Sequence, residues 1–186
     1  IYYVVHEKRN EKIFVPENYH TKRIKEMTDL GSEIIRVPGD YERAVEVSSE
    51  VAFTEELYDA NPGGTNITLQ LKAYGEMAYE IYDKLSDAPS IVAVPVSNGT
   101  TIAGIYKGFL SLYRRGKTSK MPKIVAGSSF KKNPIINAFL LNKETCEDLI
   151  PDKIKESKIN EPLINWHSID GDLALDAIRK TNGWAA

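Results

Sequence analysis

The stretch Ile91-Val-Ala-Val-Pro-Val-Ser-Asn-Gly-Thr-Thr-Ile-Ala-Gly-Ile-Tyr-Lys-Gly-Phe109 joins two different hydrophobic periods through one small polar turn. Ile91 to Val96 is an unbroken apolar run rich in β-branched residues, the pattern of a strand buried on both faces of a parallel sheet. Ser97, Asn98, Gly99, Thr100 and Thr101 are small and polar. Beyond them Ile102, Ile105, Tyr106 and Phe109 recur at the spacing of one helix face. Strand, tight turn and helix together bring backbone N–H groups and the positive end of a helix to one point, which suits an anion and best a phosphate. Gly99 permits close backbone approach, and the hydroxyls of Ser97, Thr100 and Thr101 add donors. Taken alone, the turn reads equally as an ordinary βα connection with no ligand. It is not a Walker A loop, because Ile105 stands where the lysine belongs, and no G-x-G-x-x-G marks a dinucleotide site.

The remaining residues follow the same alternation. Ile13-Phe14-Val15 before Pro16, Glu33 to Val37 before Pro38-Gly39, and Lys123 to Gly127 read as strands. Helices are expected over Thr21 to Leu30, stopped by Gly31, and from Asp40, as N-cap, to about Ala52 with Tyr41, Ala44, Val45 and Val51 inward. The clearest helix runs from about Ile67 to Leu85. Its face of Ile67, Leu71, Tyr74, Ala78, Ile81 and Leu85 is expected in the core, and Thr65 or Asn66 is expected to cap it. Its N-terminus follows Gly63-Gly64, which lets it approach a ligand. Arg114-Arg115-Gly116-Lys117 ends the helix after the polar turn. A short helix spans Ile135 to Leu141. A last one spans Ile169 to Thr181, capped by Ser168 or Asp170 and stopped at Asn182-Gly183, with Leu173, Ala174, Ala177 and Ile178 inward. Asn142 to Lys158 reads as charged surface. Ile1 to His6 reads as a strand, or as the end of a helix stopped at Asn10. Alternating strands and helices predict an α/β fold, an open and mostly parallel sheet flanked by helices.

Composition narrows the function classes. The 186 residues suffice for one good core or two small lobes, with 42% hydrophobic and 27% charged residues. A net charge of −2 creates no basic field for nucleic acid or an acidic membrane. Cys146 is the only cysteine, so no internal disulfide forms, and a cytoplasmic location is the expectation. His6, His20 and His167 stand apart from one another and from Cys146, which argues against a structural metal site. No apolar run reaches membrane-spanning length. The chain starts at Ile1 without a polar lead-in and ends at Ala185-Ala186 straight after a helix stop, as expected of a piece of a longer protein.

Several stretches, in order, resemble the threonine synthase family, which belongs to the fold-type II, tryptophan synthase β-like enzymes that use pyridoxal 5'-phosphate. Ile13 to Glu17 resembles that family's "VFVPE" strand, and Leu30 to Gly39 its "GAEVIRVEG". Asn61-Pro62 followed by Tyr79-Glu80-Ile81 resembles its "NP…YEI". Val94 to Thr101 resembles "VPVGNGGN", the loop that holds the cofactor phosphate. Pro122 to Val125, Glu161 to Trp166 and Ala177-Ile178-Arg179 resemble later family segments. The resemblance implies that residues 1–60 belong to the small lobe and 61–186 to the large, cofactor-binding lobe. It implies pyridoxal 5'-phosphate as cofactor, anchored by Ser97, Asn98, Gly99, Thr100 and Thr101. The implied reaction of the intact protein is conversion of O-phosphohomoserine and water to threonine and phosphate. The partner is then a phosphorylated amino-acid substrate. Family members are commonly dimeric, so a homodimer is expected, although no interface is legible.

The family's Schiff-base lysine lies upstream of these segments, so no catalytic residue is assigned here and the chain alone is expected to be inactive. Ser129-Phe130-Lys131 echoes the lysine motif, but it follows the phosphate loop where the family's lysine precedes it, and it reads better as a solvated turn. Two departures stand out. Gly63-Gly64-Thr65-Asn66-Ile67 replaces the family's "EGQKT", and Thr100-Thr101 replaces the commoner Gly-Asn. Threonine dehydratases and sulfur-transferring synthases of the same group share such a loop, and a non-catalytic α/β module binding a phosphorylated small molecule also fits.

Overall fold

The computed structural model describes residues 11–19, 22–154 and 163–186, so the expectations for Ile1 to Asn10, for Thr21, for Lys155 to Lys158 and for Glu161-Pro162 lie outside the described residues. The chain falls into two compact units that divide between Asn61 and Pro62.

The first unit holds β1 (Lys12–Pro16), α1 (Lys22–Asp29), β2 (Glu33–Val37) and α2 (Tyr41–Thr54). β1 and β2 pair in parallel, with Phe14 opposite Ile35. Gly31, at φ +92°, ends α1 in the left-handed conformation the sequence calls for. Asp40 caps α2 by accepting the Arg43 N–H at 3.0 Å. Tyr41 is exposed, contrary to the sequence expectation, because the buried line of α2 runs through Ala44 and Ala52. Asn61 closes the unit by donating its amide to Ser48 Oγ at 2.7 Å.

The second unit is built on three parallel strands in the order β3 (Ile91–Pro95), β4 (Lys123–Gly127), β5 (Trp184–Ala185). The helices are α3 (Ile67–Leu85), α4 (Thr100–Arg114), α5 (Pro134–Leu140) and α6 (Gly171–Lys180). β5 went unrecognised in the sequence: a two-residue strand carries no periodicity, and only pairing with Val125 and Ala126 defines it. The core joins Val94, Val96, Ile124 and Ala126 of the sheet region to Ile102, Phe109, Ile135, Ile136 and Ile178 of the helices. The opposite face of the sheet, with Ile91, Ala93, Pro95, Lys123 and Trp184, is exposed. β3 is thus covered on one face only in this chain, not on both as its composition suggests, because α4, α5 and α6 share a single core on the Val94 face.

α4 is the buried centre of this unit. Ile102 and Phe109 are fully buried, and Gly116 at φ +65° terminates the helix as anticipated. α3 meets α4 through small residues. Its buried residues are Gly75 and Ala78, whereas Tyr74 and Leu85, expected inward, are exposed. A Cβ on Gly108 would lie 2.3 Å from the Gly75 carbonyl oxygen, and one on Gly104 would lie 2.4 Å from Tyr74 Cβ. The backbones approach so closely that the contact stripe narrows to glycine and alanine, pushing the larger side chains to the flanks. On α6, Leu173 is exposed and Leu175 buried, a shift of the inward face from the one expected.

Gly108→Ala is expected to cost about 1–3 kcal/mol, the range for overpacking a tight contact. Urea unfolding checks this, and a midpoint unchanged from wild type contradicts the close packing of α3 on α4.

Candidate functional site

The turn from Ser97 to Thr101 sits where β3 passes into α4. Gly99 occupies the N-cap position at φ +97°, ψ −17°, and α4 receives no side-chain cap there. The first bond of the helix ladder runs from the Ala103 N–H to the Gly99 carbonyl at 3.1 Å. The N–H groups of Thr100, Thr101 and Ile102 therefore precede the ladder, as at any helix start.

The turn is held from behind by consecutive carbonyls. The Ser97 carbonyl accepts from Asn133 Nδ2 at 3.0 Å and from Ser168 Oγ at 3.2 Å. The Asn98 carbonyl accepts the Asp170 N–H at 3.0 Å. In a trans peptide the C=O and the following N–H point in opposite directions. Pinning these two carbonyls therefore turns the N–H groups of Asn98 and Gly99 to the other side of the turn. With the first-turn N–H groups of α4 they make a set of backbone donors of the kind that suits an anion.

The backing residues form one polar network in an otherwise apolar interior. Asn133 is fully buried. Its Oδ1 caps α5 through the N–H groups of Ile135 and Ile136, and its Nδ2 also reaches Asn165 Oδ1 at 2.8 Å. Asn165 in turn donates to the His167 carbonyl at 2.6 Å and to Ser168 Oγ at 2.8 Å. The sequence pattern assigns no role to Asn133 and marks Ser168 or Asp170 only as a cap. Their union behind the turn was illegible because the contacts span 36 and 71 positions for the Ser97 carbonyl alone.

The five candidate residues stay together but not in equal roles. Gly99, Thr100 and their neighbours are contiguous, with Gly99 and Thr100 buried and Ser97, Asn98 and Thr101 half-buried. The Thr100 hydroxyl, read from the sequence as a donor to the anion, donates instead to Asp170 Oδ2. Its position inside the interface with α6 leaves it only its N–H for a ligand. Gly99 is required on conformational and steric grounds, since a Cβ there would lie 2.8 Å from the Asp170 carbonyl oxygen and 2.9 Å from Ala174 Cβ. The turn at Gly63, which leads into α3, reaches the same place: a Cβ on Gly63 would lie 2.4 Å from Ile169 Cγ2 and 3.5 Å from Asp170 Oδ1. Asn66 stands at the N-cap position of α3 but makes no side-chain cap.

Lys131 lies elsewhere, exposed on a turn at φ +58°, with its ammonium 5.3 Å from the centroid of the Phe130 ring. It borders an open cleft of about 410 Å³ that Lys143, Glu147, Asp148 and Lys153 also line. Cys146 is half-buried, and burial, reinforced by Asp172, pushes its thiol up to about 12. Among the described residues no group of three metal-ligating side chains occurs, and no helix is long and apolar enough to cross a membrane.

A family model described as pyridoxal-phosphate dependent enzyme matches residues 11–186. The chain belongs to that family. Among curated relatives, threonine synthase of Methanocaldococcus jannaschii is 29% identical over 156 residues, 83% of this chain and 37% of the relative. Threonine synthase of a Bacillus species is 30% identical over 114 residues, 60% of this chain and 31% of the relative. The chain thus spans well under half the length of these relatives. Solved structures agree on the fold. Maize serine racemase superposes with a TM-score of 0.70 at 17% identity, covering 98% of this chain and 50% of that one. Threonine deaminase isoform 2 of Solanum lycopersicum gives 0.68 at 17%, covering 92% and 46%. The architecture is that of the fold-type II pyridoxal phosphate enzymes, and the family's cofactor is pyridoxal phosphate.

Two expectations follow from the titrating groups. Burial holds the Asp170 carboxyl above the usual carboxylate range, an effect the Thr100 hydroxyl partly offsets. A carboxyl with a raised folded-state value binds more protons folded than unfolded, so stability falls as pH rises from the ordinary value through the raised one. The urea midpoint of the wild type is expected to drop across that window more than that of Asp170→Asn; equal slopes contradict it. With its thiol near 12, Cys146 should alkylate roughly a thousandfold more slowly at about pH 8 than in the urea-unfolded chain, as judged by its thiolate fraction. Equal rates in the two states contradict the burial of this thiol.

Proposed function

We propose that this chain is the cofactor-phosphate-holding part of a threonine synthase-like enzyme whose intact form converts O-phosphohomoserine and water to threonine and phosphate. The observation that carries the reading is the Ser97–Thr101 turn, its carbonyls held from behind and its N–H groups turned outward, on a chain whose curated relatives are named threonine synthase. On this reading residues 61–186 belong to the cofactor-binding lobe and 1–60 to the small one.

Pyridoxal phosphate, when bound, supplies an electron sink for carbanionic charge beside the amino group of an amino acid. The residues of this chain bind and orient. The N–H groups of Asn98, Gly99, Thr100, Thr101 and Ile102 hold the phosphate, joined by the Ser97 and Thr101 hydroxyls and the Asn98 amide. The α4 dipole favours the phosphate charge, and anchoring one end of the cofactor restricts where its reactive end can go. Lys131 takes no part in this reading, since it stands exposed on its own turn. The cofactor-binding lysine is assigned to polypeptide upstream of this chain. A homodimer and a reducing, cytoplasmic setting complete the proposal.

The loop reading predicts that the chain binds pyridoxal 5'-phosphate at least about tenfold more tightly than pyridoxal, which lacks the anchored group. Gly99→Ala should erase the difference, since the added Cβ meets Asp170 and Ala174. Equal affinity of the wild type for both compounds overturns the loop assignment. For the intact protein, phosphate release from O-phosphohomoserine supports the reaction. Deamination of threonine without that release moves the reading to a dehydratase.

A further inference from the structure

Asp170 stands at the N-cap of α6, where an aspartate ordinarily turns its carboxylate onto the N–H groups of its own helix. It makes no such cap. Its carboxylate instead accepts the hydroxyl of Thr100, the first residue of α4, and its N–H donates to the Asn98 carbonyl at 3.0 Å. Only 6% of Asp170 is exposed, and its carboxylate gives up its own helix for this contact. The two bonds fall on either side of Gly99, the one residue of the turn with a left-handed backbone. Behind Gly99 there is no slack, because the Asp170 carbonyl and Ala174 already fill the space a Cβ would take. The same carbonyl accepts the Ala174 N–H at 3.1 Å, which ties the clamp to the first turn of α6.

We propose that Asp170 is a positioning residue for the Ser97–Thr101 turn, clamping Asn98 and Thr100 so that the intervening N–H groups are held ready for a phosphate before any ligand arrives. The role in phosphate binding rests on the proposed function above; the clamp itself is a property of the chain without ligand. Preorganisation of this kind removes the ordering cost from the binding step. Thr100, first counted as a phosphate donor, is on this account the handle by which α6 holds the turn. The aspartate touches no part of the phosphate.

The test separates the clamp from the ligand. Amide hydrogen exchange on the ligand-free chain is compared for wild type, Asp170→Ala, Asp170→Asn and Thr100→Val. In Asp170→Ala the amides of Ala103 and residue 170, which donate to the Gly99 and Asn98 carbonyls, should lose about tenfold or more of their protection, the equivalent of one charge-assisted hydrogen bond, while the Ile124 amide in β4 is unchanged. Asp170→Asn retains a neutral side-chain oxygen for the Thr100 hydroxyl and should fall between Asp170→Ala and wild type. Thr100→Val removes the same bond from the other side and carries the test if Asp170→Ala does not fold. Unchanged protection at Ala103 and residue 170 in the folded variants overturns the clamp, as does acceleration spread evenly over β4. Affinities for pyridoxal 5'-phosphate and pyridoxal are then measured on the same proteins. Loss confined to the phosphorylated compound in Asp170→Ala, with recovery in Asp170→Asn, supports the role in phosphate binding. A wild type with no preference for the phosphorylated compound defeats the proposed function and leaves the exchange result to decide the clamp by itself.

Discussion

The approach of α3 to α4 at Gly75, Gly104 and Gly108 is the constraint on which the second unit depends. Two helices whose backbones approach this closely have little freedom to slide, because any residue larger than glycine at Gly104 or Gly108 would collide with the facing helix. α4 is thereby set at a fixed distance from α3 on one side and presses Ile102, Phe109 and Leu112 into the core on the other. A helix fixed along its length has a fixed beginning, and the beginning of α4 is the polar turn at Ser97 to Thr101.

That turn is where the apolar core stops and hydrogen bonds take over. Asn133, Asn165, Ser168 and Asp170 are all buried; the first three find partners in backbone carbonyls or in one another, and the Asp170 carboxylate accepts the Thr100 hydroxyl. In a low-dielectric interior an unpaired amide or carboxylate is costly, so a network of this kind is tolerated only when satisfied, and once satisfied it admits few alternatives. Its output is directional. Carbonyls are drawn inward, and the N–H groups of the same peptides are left facing outward. The orientation of these N–H groups is thus set by residues on the opposite side of the turn.

Helix starts show how differently one residue type is used within the chain. Asp40 caps α2 with its own carboxylate, the local arrangement that sequence alone suggests. Asn133 caps α5 with its oxygen while its amide nitrogen reaches Ser97 and Asn165. Asp170 stands in the same position on α6 and serves a different helix altogether. Where a cap residue is buried, part or all of its hydrogen-bonding capacity goes to distant partners, since buried donors and acceptors compete for it and water does not.

Local chemistry settled much of this protein in advance. The bounds of β2, α3 and β4, the left-handed stops at Gly31 and Gly116, the Asp40 cap and the strand–turn–helix around Gly99 are written in neighbouring residues. Each depends on interactions within a few positions, where periodicity and backbone preference act directly. Tertiary structure decided what those rules do not reach. It made α3 pack through glycine and alanine, leaving Tyr74 and Leu85 outside, and it replaced Leu173 by Leu175 at the α6 interface. It left one face of β3 open, created β5 from two residues by pairing, and turned the Thr100 hydroxyl from a ligand donor into a tether for Asp170. In each of these the partner lies tens of residues away, and only the folded chain brings it within the few ångströms over which packing and hydrogen bonds act.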